Sequence, residues 1–154
     1  MAQLGAKAEF LVSDETAICN LLHLYAERVD LGDGAGVAAL FSRAHVKWGA
    51  QADVTYGAEP IARLYANVIK LHEDGTPRTH HLITNPIIEI AADGQTATCR
   101  SYYTVIQQTA AVPLQVIAGG RYHDGFEKFD GAWRFARREY FMDFRGAVHD
   151  HVKA

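Results

Sequence analysis

Long apolar runs are absent. Nothing in the chain approaches the ~20 consecutive apolar residues of a membrane helix, and Met1 to Phe10 lack the charged start and apolar stretch of an export leader. A soluble, unexported, cytoplasmic protein is the expectation. Cysteine is scarce: Cys19 and Cys99 fit neither a CxxC nor a zinc spacing, which suits a reducing compartment and two small core residues, with one disulfide as the alternative. Positive charge is not in excess. Fifteen Lys and Arg against eighteen Asp and Glu leave a formal charge of −3, too little to follow a phosphate backbone, so nucleic acid is not an expected partner. The eight histidines are scattered and form no HExxH motif, so neither a metal nor any other cofactor is expected. Gly119-Gly120 precedes no helix and makes no phosphate loop. Repeats, linkers and low-complexity segments are missing.

What remains is ordinary globular material. Hydrophobic residues make up 49% of the 154 and charged residues 21%, enough for one domain with a real core. A single domain over 1–154 is expected, its core at about 10–145, with Gly146 to Ala154 frayed. Ser13 before Asp14 and Glu15 starts a helix, with a capping hydroxyl and then acids on the positive end of the dipole. Ile18, Leu21, Leu22, Tyr25 and Val29 recur at helical spacing, and Gly32 and Gly34 stop the run. Val37, Leu40 and Phe41 suggest a short second helix. His45 to Gln51 alternates as a strand. Pro60 opens a third helix carried by Ile61, Leu64, Tyr65, Val68 and Leu71 and ended at Glu73-Asp74-Gly75. From Thr79 the chain reads as sheet: Thr79 to Ala91, Gln95 to Thr109, Leu114 to Phe129 and Ala132 to Phe144. Asp93-Gly94 and Asp130-Gly131 are hairpin turns, Pro86 implies a bulge or an edge, and Gly119-Gly120 a sharp bend. Helices followed by long antiparallel strands make an α+β fold: a cone-shaped roll in which a curved, mostly antiparallel sheet closes over three N-terminal helices around a pocket.

Certain segments carry a resemblance. They are Ile18 to Asp30 (ICNLLHLYAERVD), Leu40-Phe41-Ser42, His80 to Asn85 (HHLITN), Gly120 to Asp124 (GRYHD) and Trp133 to Arg138 (WRFARR). Together they resemble the SnoaL-like branch of the nuclear transport factor 2-like superfamily, over about residues 10 to 145. The resemblance implies the cone fold, a homodimer and a deep apolar pocket for a small apolar or aromatic ligand. Members include polyketide cyclases, dehydratases, isomerases, dioxygenase β subunits and pure binding modules. The nearest catalytic pattern is similar to scytalone dehydratase, where an aspartate ends the first helix and a histidine with an apolar pair opens the second strand. Asp30 and His81 fall on those positions. The chain departs from the pattern twice: Val29 stands where that family has tyrosine, and Arg100 to Ile106 lack its second catalytic histidine.

Asp30 and His81 are therefore the candidate catalytic residues. A carboxylate that fixes an imidazole's tautomer makes a proton-transfer pair working near neutral pH. A carboxylate at a helix C-terminus also opposes the dipole and wants a partner. A half-buried histidine bonding to backbone is the plainer alternative. The Asp93-Gly94 turn pairs Ala92 with Gln95, and hence Ile83 with Thr104, Asn85 with Tyr102 and Ile87 with Arg100. In that register His81, Asn85, Arg100 and Tyr102 share one face. A bulge at Pro86 shifts it by one and flips the outer part, and which of His80 and His81 points inward stays open. Tyr25, Trp48, Tyr56, Asn85, Arg100 and Tyr102 are the candidate ligand-binding residues. In the second hairpin the same ruler sets Asp124 against Arg137 and Phe126 against Phe135.

Two functions of different kinds follow. One is a cofactor-independent lyase of dehydratase type, or an isomerase, acting on an aromatic or polyketide-like molecule. The other is a non-catalytic binding or assembly module, including a dioxygenase β-subunit-like role. The discriminator is geometric: an Asp30–His81 contact near ~3 Å inside a closed pocket supports catalysis, and opposite faces support binding alone.

Overall fold

A computed structural model describes residues 12–49 and 53–153. Expectations touching residues 1–11, 50–52 and 154 lie outside the described residues. Among these, α1 (Asp14–Asp30), α2 (Gly34–Leu40) and α3 (Ala58–Val68) pack on a curved six-stranded sheet. The strands are β1 (His45–Trp48), β2 (Val54–Tyr56), β3 (Thr79–Ile90), β4 (Thr96–Gln107), β5 (Gln115–Phe129) and β6 (Ala132–Arg145). Their spatial order is β2-β1-β6-β5-β4-β3, antiparallel throughout except for the parallel β1–β6 pair. The α+β fold expected from the element order is the fold observed; β2 was not foreseen.

α1 begins as its sequence dictates. Ser13 Oγ accepts from the Thr16 amide at 3.2 Å. Asp14 does more than face the dipole: it accepts from Trp133 Nε1 at 2.8 Å and Lys128 Nζ at 3.0 Å, tying the helix start to the β5–β6 hairpin. Ile18, Leu22, Tyr25 and Val29 are the buried stripe. Pro60 sits in the first turn of α3, where its missing amide hydrogen costs nothing. Bulges interrupt β3–β4, β4–β5 and β5–β6 and give the sheet its curvature. One falls between Gly119 and Gly120, the bend expected there. Gly120 is obligatory at that point, since an added Cβ would lie 1.9 Å from the Phe141 carbonyl oxygen.

A second bulge, at Gly125/Phe126, corrects one pairing. Phe126 faces Phe135 as expected, but beyond the bulge Asp124 faces Arg138, not Arg137. The consequence is large, because Asp124 and Arg138 are both fully buried. Arg138 donates to the two carboxylate oxygens through Nε at 2.7 Å and Nη2 at 2.8 Å. Its guanidinium lies between the rings of Tyr122, at 4.0 Å, and Tyr25, at 4.2 Å. Arg138 Nη1 is buried with no hydrogen-bond partner among the described residues, so the pair depends on its two bonds to Asp124 and on the flanking rings.

The C-terminal tail corrects two expectations at once. It is docked, not frayed. Val148–Asp150 form a 3-10 turn, and Val148, Asp150 and His151 are buried. Val152 pairs with Ile69, the Lys70 amide donates to the His151 carbonyl, and the Lys153 amide to the Val68 carbonyl. α3 ends at Val68 instead of running on to Leu71 for the same reason: the next residues are extended to pair with the tail.

Removing one member of the central ion pair is expected to unfold the domain easily. Asp124→Ala strands a buried guanidinium and should cost about 3–5 kcal/mol, read as a lowered denaturant midpoint. A change within 0.5 kcal/mol, on the order of an inert surface substitution, would show the pair to be dispensable.

Candidate active site

Asp30 closes α1 with its carboxylate turned toward the start of β3. Three donors from that strand meet it. Thr79 Oγ1 donates to Oδ1 at 2.8 Å, the His81 amide donates to Oδ2 at 2.7 Å, and His81 Nδ1 lies 2.6 Å from Oδ1. The His81 side chain is 6% exposed and that of Asp30 17%, so the contact is shielded from water. A carboxylate only accepts, so the proton between them sits on Nδ1. The opposite ring nitrogen, Nε2, then carries the free lone pair. The ring borders a mostly apolar cavity.

The register explains how His81 gets there. β3 and β4 pair as the turn dictates from Ile90 back to Ile87. They then shift by one across Asn85 and Pro86, with Asn85 at φ 53°. The shifted segment sets His81 opposite Val105 on the inner face. His80 is exposed. The flip separates residues expected to share a face. Asn85 lies at the bulge and is exposed; Arg100 and Tyr102 point outward, Arg100 toward Glu89 at 3.7 Å. Tyr56, on the edge strand β2, is 61% exposed. None of these four lines the cavity, and the placement expected for them is corrected. Tyr25 and Trp48 do line it.

Tyrosines form much of the wall. Tyr65 donates to Tyr25 at 3.0 Å and bonds the hydroxyl of Tyr140. Trp48 stacks on Tyr140 with centroids 4.1 Å apart, and Tyr103 on Tyr122 at 4.5 Å. Burial pushes the phenols of Tyr65, Tyr122 and Tyr140 well up and that of Tyr103 to about 12, so they stay protonated near neutral pH. Cys99 is likewise pushed up to about 12, first by burial and then by Asp124, and is no nucleophile. The cavity is small, about 60 Å³. A groove of about 380 Å³ adjoins it between α1 and α3 and shares Val29, Tyr65 and Ile69 as walls. Among the described residues no three His, Cys, Asp or Glu side chains are grouped to hold a metal ion.

The cavity residues that the sequence reading did not single out as ligand-binding include Tyr65, Tyr103, Tyr122 and Tyr140, and one histidine. His151, on the docked tail, faces His81 with ring centroids 5.8 Å apart. Its neighbour Asp150 holds the segment: the carboxylate bonds Lys70 Nζ and Thr109 Oγ1, and the carbonyl meets Gln107 Nε2 and His72 Nε2 at 3.0 Å each. Its only signal in the sequence was burial-prone Val148 and Val152 around an otherwise polar stretch.

The SnoaL-like domain family matches residues 11–139. The chain belongs to the SnoaL-like family. Solved structures with this fold include a variant of Rv3472 from Mycobacterium tuberculosis, described as of unknown function: 27% identical, TM-score 0.67, covering 86% of this chain and 73% of that one. A provisionally assigned scytalone dehydratase from Novosphingobium aromaticivorans is 23% identical, TM-score 0.70, covering 88% of each chain. ActVI-ORFA from Streptomyces coelicolor is 19% identical, TM-score 0.67, covering 84% and 96%. No curated protein sequence matches the chain significantly. The SnoaL-like match stops at residue 139, short of the tail that brings His151 to the cavity.

The tail's docking is expected to weaken in acid in two stages. Burial first, then the neighbouring His81, holds the His151 imidazole down to about 4 from 6.5. The undocked ring binds a proton more readily, so docking stability is full above the ordinary value and falls as pH drops from 6.5 toward 4. The Lys70 and Thr109 hydrogen bonds hold Asp150 down to about 2 from 3.8, adding a second loss between those values. Methyl resonances of Val148 and Val152 followed through an acid titration report both, and His151→Phe should abolish only the first.

Proposed function

We propose that this SnoaL-like protein is a cofactor-independent lyase of dehydratase type, or an isomerase, acting on an aromatic or polyketide-like ligand. The observation that carries the reading is the 2.6 Å contact from Asp30 to His81 Nδ1 beside an apolar cavity. His81 Nε2 takes the proton from a carbon next to a carbonyl. Asp30 keeps the imidazole in the right tautomer and stabilises the imidazolium that forms, the division of labour that makes a histidine an efficient base. Apolar and tyrosine walls suit a ring system. Loss of hydroxide from the adjacent carbon, as water carrying the returned proton, gives a dehydratase; return of the proton to a different carbon gives an isomerase.

A non-catalytic binding module, or a subunit of β-type in a larger oxygenase, is the second reading. The cavity size supports its assembly form: about 60 Å³ is well below the roughly 300–1,000 Å³ of typical ligand pockets, too small for a ring system whether bound or turned over. Catalysis on a ring system therefore requires the cavity to open into the adjoining groove. A homodimer is proposed as well, through the outer sheet face where Ile87, Tyr102, Val116 and Phe144 are each more than half exposed. Sedimentation at the mass of one chain would count against it. The free thiols of Cys19 and Cys99 suit a cytoplasmic setting.

Proton abstraction can be read without the natural substrate. Incubation in D2O with a bicyclic aryl ketone such as α-tetralone, followed by mass spectrometry, should show deuterium entering α to the carbonyl. His81→Ala and Asp30→Asn should each slow this by about 10²-fold or more, with the fold intact by circular dichroism. Wild-type exchange rates in either variant would sink the catalytic reading. Tight ketone binding with no exchange by the wild type would favour the binding module.

A further inference from the structure

His151 has no part in the proton transfer described above, yet its position is hard to explain as packing. The residue is 7% exposed. Its Nδ1 is buried without a hydrogen-bond partner among the described residues, whereas buried polar atoms are nearly always paired. The ring borders the same cavity as His81, too far away to bond it and near enough for one ligand to touch both. The backbone on either side is fixed: Asp150 by Lys70, Thr109, Gln107 and His72, Val152 by Ile69, and Lys153 by the Val68 carbonyl. So many ties hold the imidazole in place, while neither of its ring nitrogens has a hydrogen-bond partner among the described residues.

We propose that His151 is a second ligand-contacting residue, whose neutral imidazole donates a hydrogen bond to the ligand's carbonyl or phenolic oxygen while His81 acts on the neighbouring carbon. The proposal rests on the acid–base reading of His81 and assigns it a class of ligand: a carbonyl compound that can enolise, or the corresponding phenol. In the step concerned the carbon–hydrogen bond breaks and its proton goes to His81 Nε2. The electron pair forms the carbon–carbon double bond, and the carbonyl π pair moves onto oxygen. That oxygen, now an enolate, is held by the His151 N–H, which keeps its proton. The imidazolium of His81 then returns the proton to carbon or to a departing hydroxyl, and the oxygen recovers its double bond to carbon.

The groups around His151 favour the neutral donor. Burial first, then His81 on β3, disfavours a charged ring; Asp30, at the end of α1, acts the other way, and His72, in the turn after α3, adds a smaller push against charge. A neutral imidazole has one N–H to give and does not discharge the enolate prematurely. A donor placed where charge develops stabilises the transition state more than the ground state.

The test uses 4-nitrophenol, whose ionised form is read by absorbance and resembles an enolate. Wild-type protein is expected to bind it and raise its ionised fraction at fixed pH. His151→Phe keeps the bulk and removes the donor; it should weaken phenolate binding by about tenfold or more. His151→Gln restores a donor and should recover most of the loss. In the wild type, the His151 ring should stay neutral on binding while its N–H resonance moves downfield, which tests the contact without any variant. No binding by the wild type at millimolar probe, an unmoved His151 resonance, or equal binding by His151→Phe would each overturn the proposal. Failure of the acid–base reading looks different: α-deuteration then survives His81→Ala whatever His151 does to phenolate binding.

Discussion

The carboxylate of Asp30 is the joint on which the site turns. It ends α1, where the helix dipole disfavours it, and it is held by three donors of β3: the Thr79 hydroxyl, the His81 amide and the His81 ring. These bonds do two jobs. They pin the C-terminus of the first helix to an edge strand of the sheet, and they fix which nitrogen of His81 keeps its proton. Because the backbone amide of His81 is one of the donors, helix position and imidazole orientation cannot vary independently. Thr79, itself buried, is a positioning residue whose effect on the cavity passes through Asp30.

A second constraint lies deeper. Asp124 and Arg138 place a charge pair beneath the cavity floor, with the guanidinium between Tyr25 and Tyr122. Burial of that pair is tolerable because both carboxylate oxygens are engaged and the cation faces aromatic rings. The same tyrosines, with Tyr65, Tyr103 and Tyr140, then form the cavity wall. Core and site are thus one layer of side chains. The tail completes it from outside, which is why the extended stretch after Val68 and the ordered segment at 148–152 are a single feature.

Local signals in the sequence reached far. The Ser13 cap, the stripe from Ile18 to Val29, the two Asp-Gly turns and the Gly119-Gly120 bend all describe what is there, because each depends on neighbours in the chain. The contact of Asp30 with His81 was also legible, through the family resemblance. What was not legible depends on register and on distant pairing. A one-residue shift at Asn85 and Pro86 turned Arg100 and Tyr102 outward while keeping His81 inside. Another at Gly125 exchanged Arg137 for Arg138 as partner of Asp124. Bulges are fixed by sheet curvature, which no hairpin ruler contains. His151 was lost to the expectation of a frayed terminus, since the bonds that dock it come from Lys70, Thr109 and Gln107, each far away in sequence.

The most direct measurement is the tautomer of His81, read from the 15N and 1H resonances of its ring near neutral pH. The expected result is a protonated Nδ1 with a strongly downfield proton, an unprotonated Nε2, and loss of that downfield signal in Asp30→Asn. A ring protonated at Nε2, or a signal indifferent to Asp30→Asn, would contradict the claim that Asp30 prepares His81 as the base of this site.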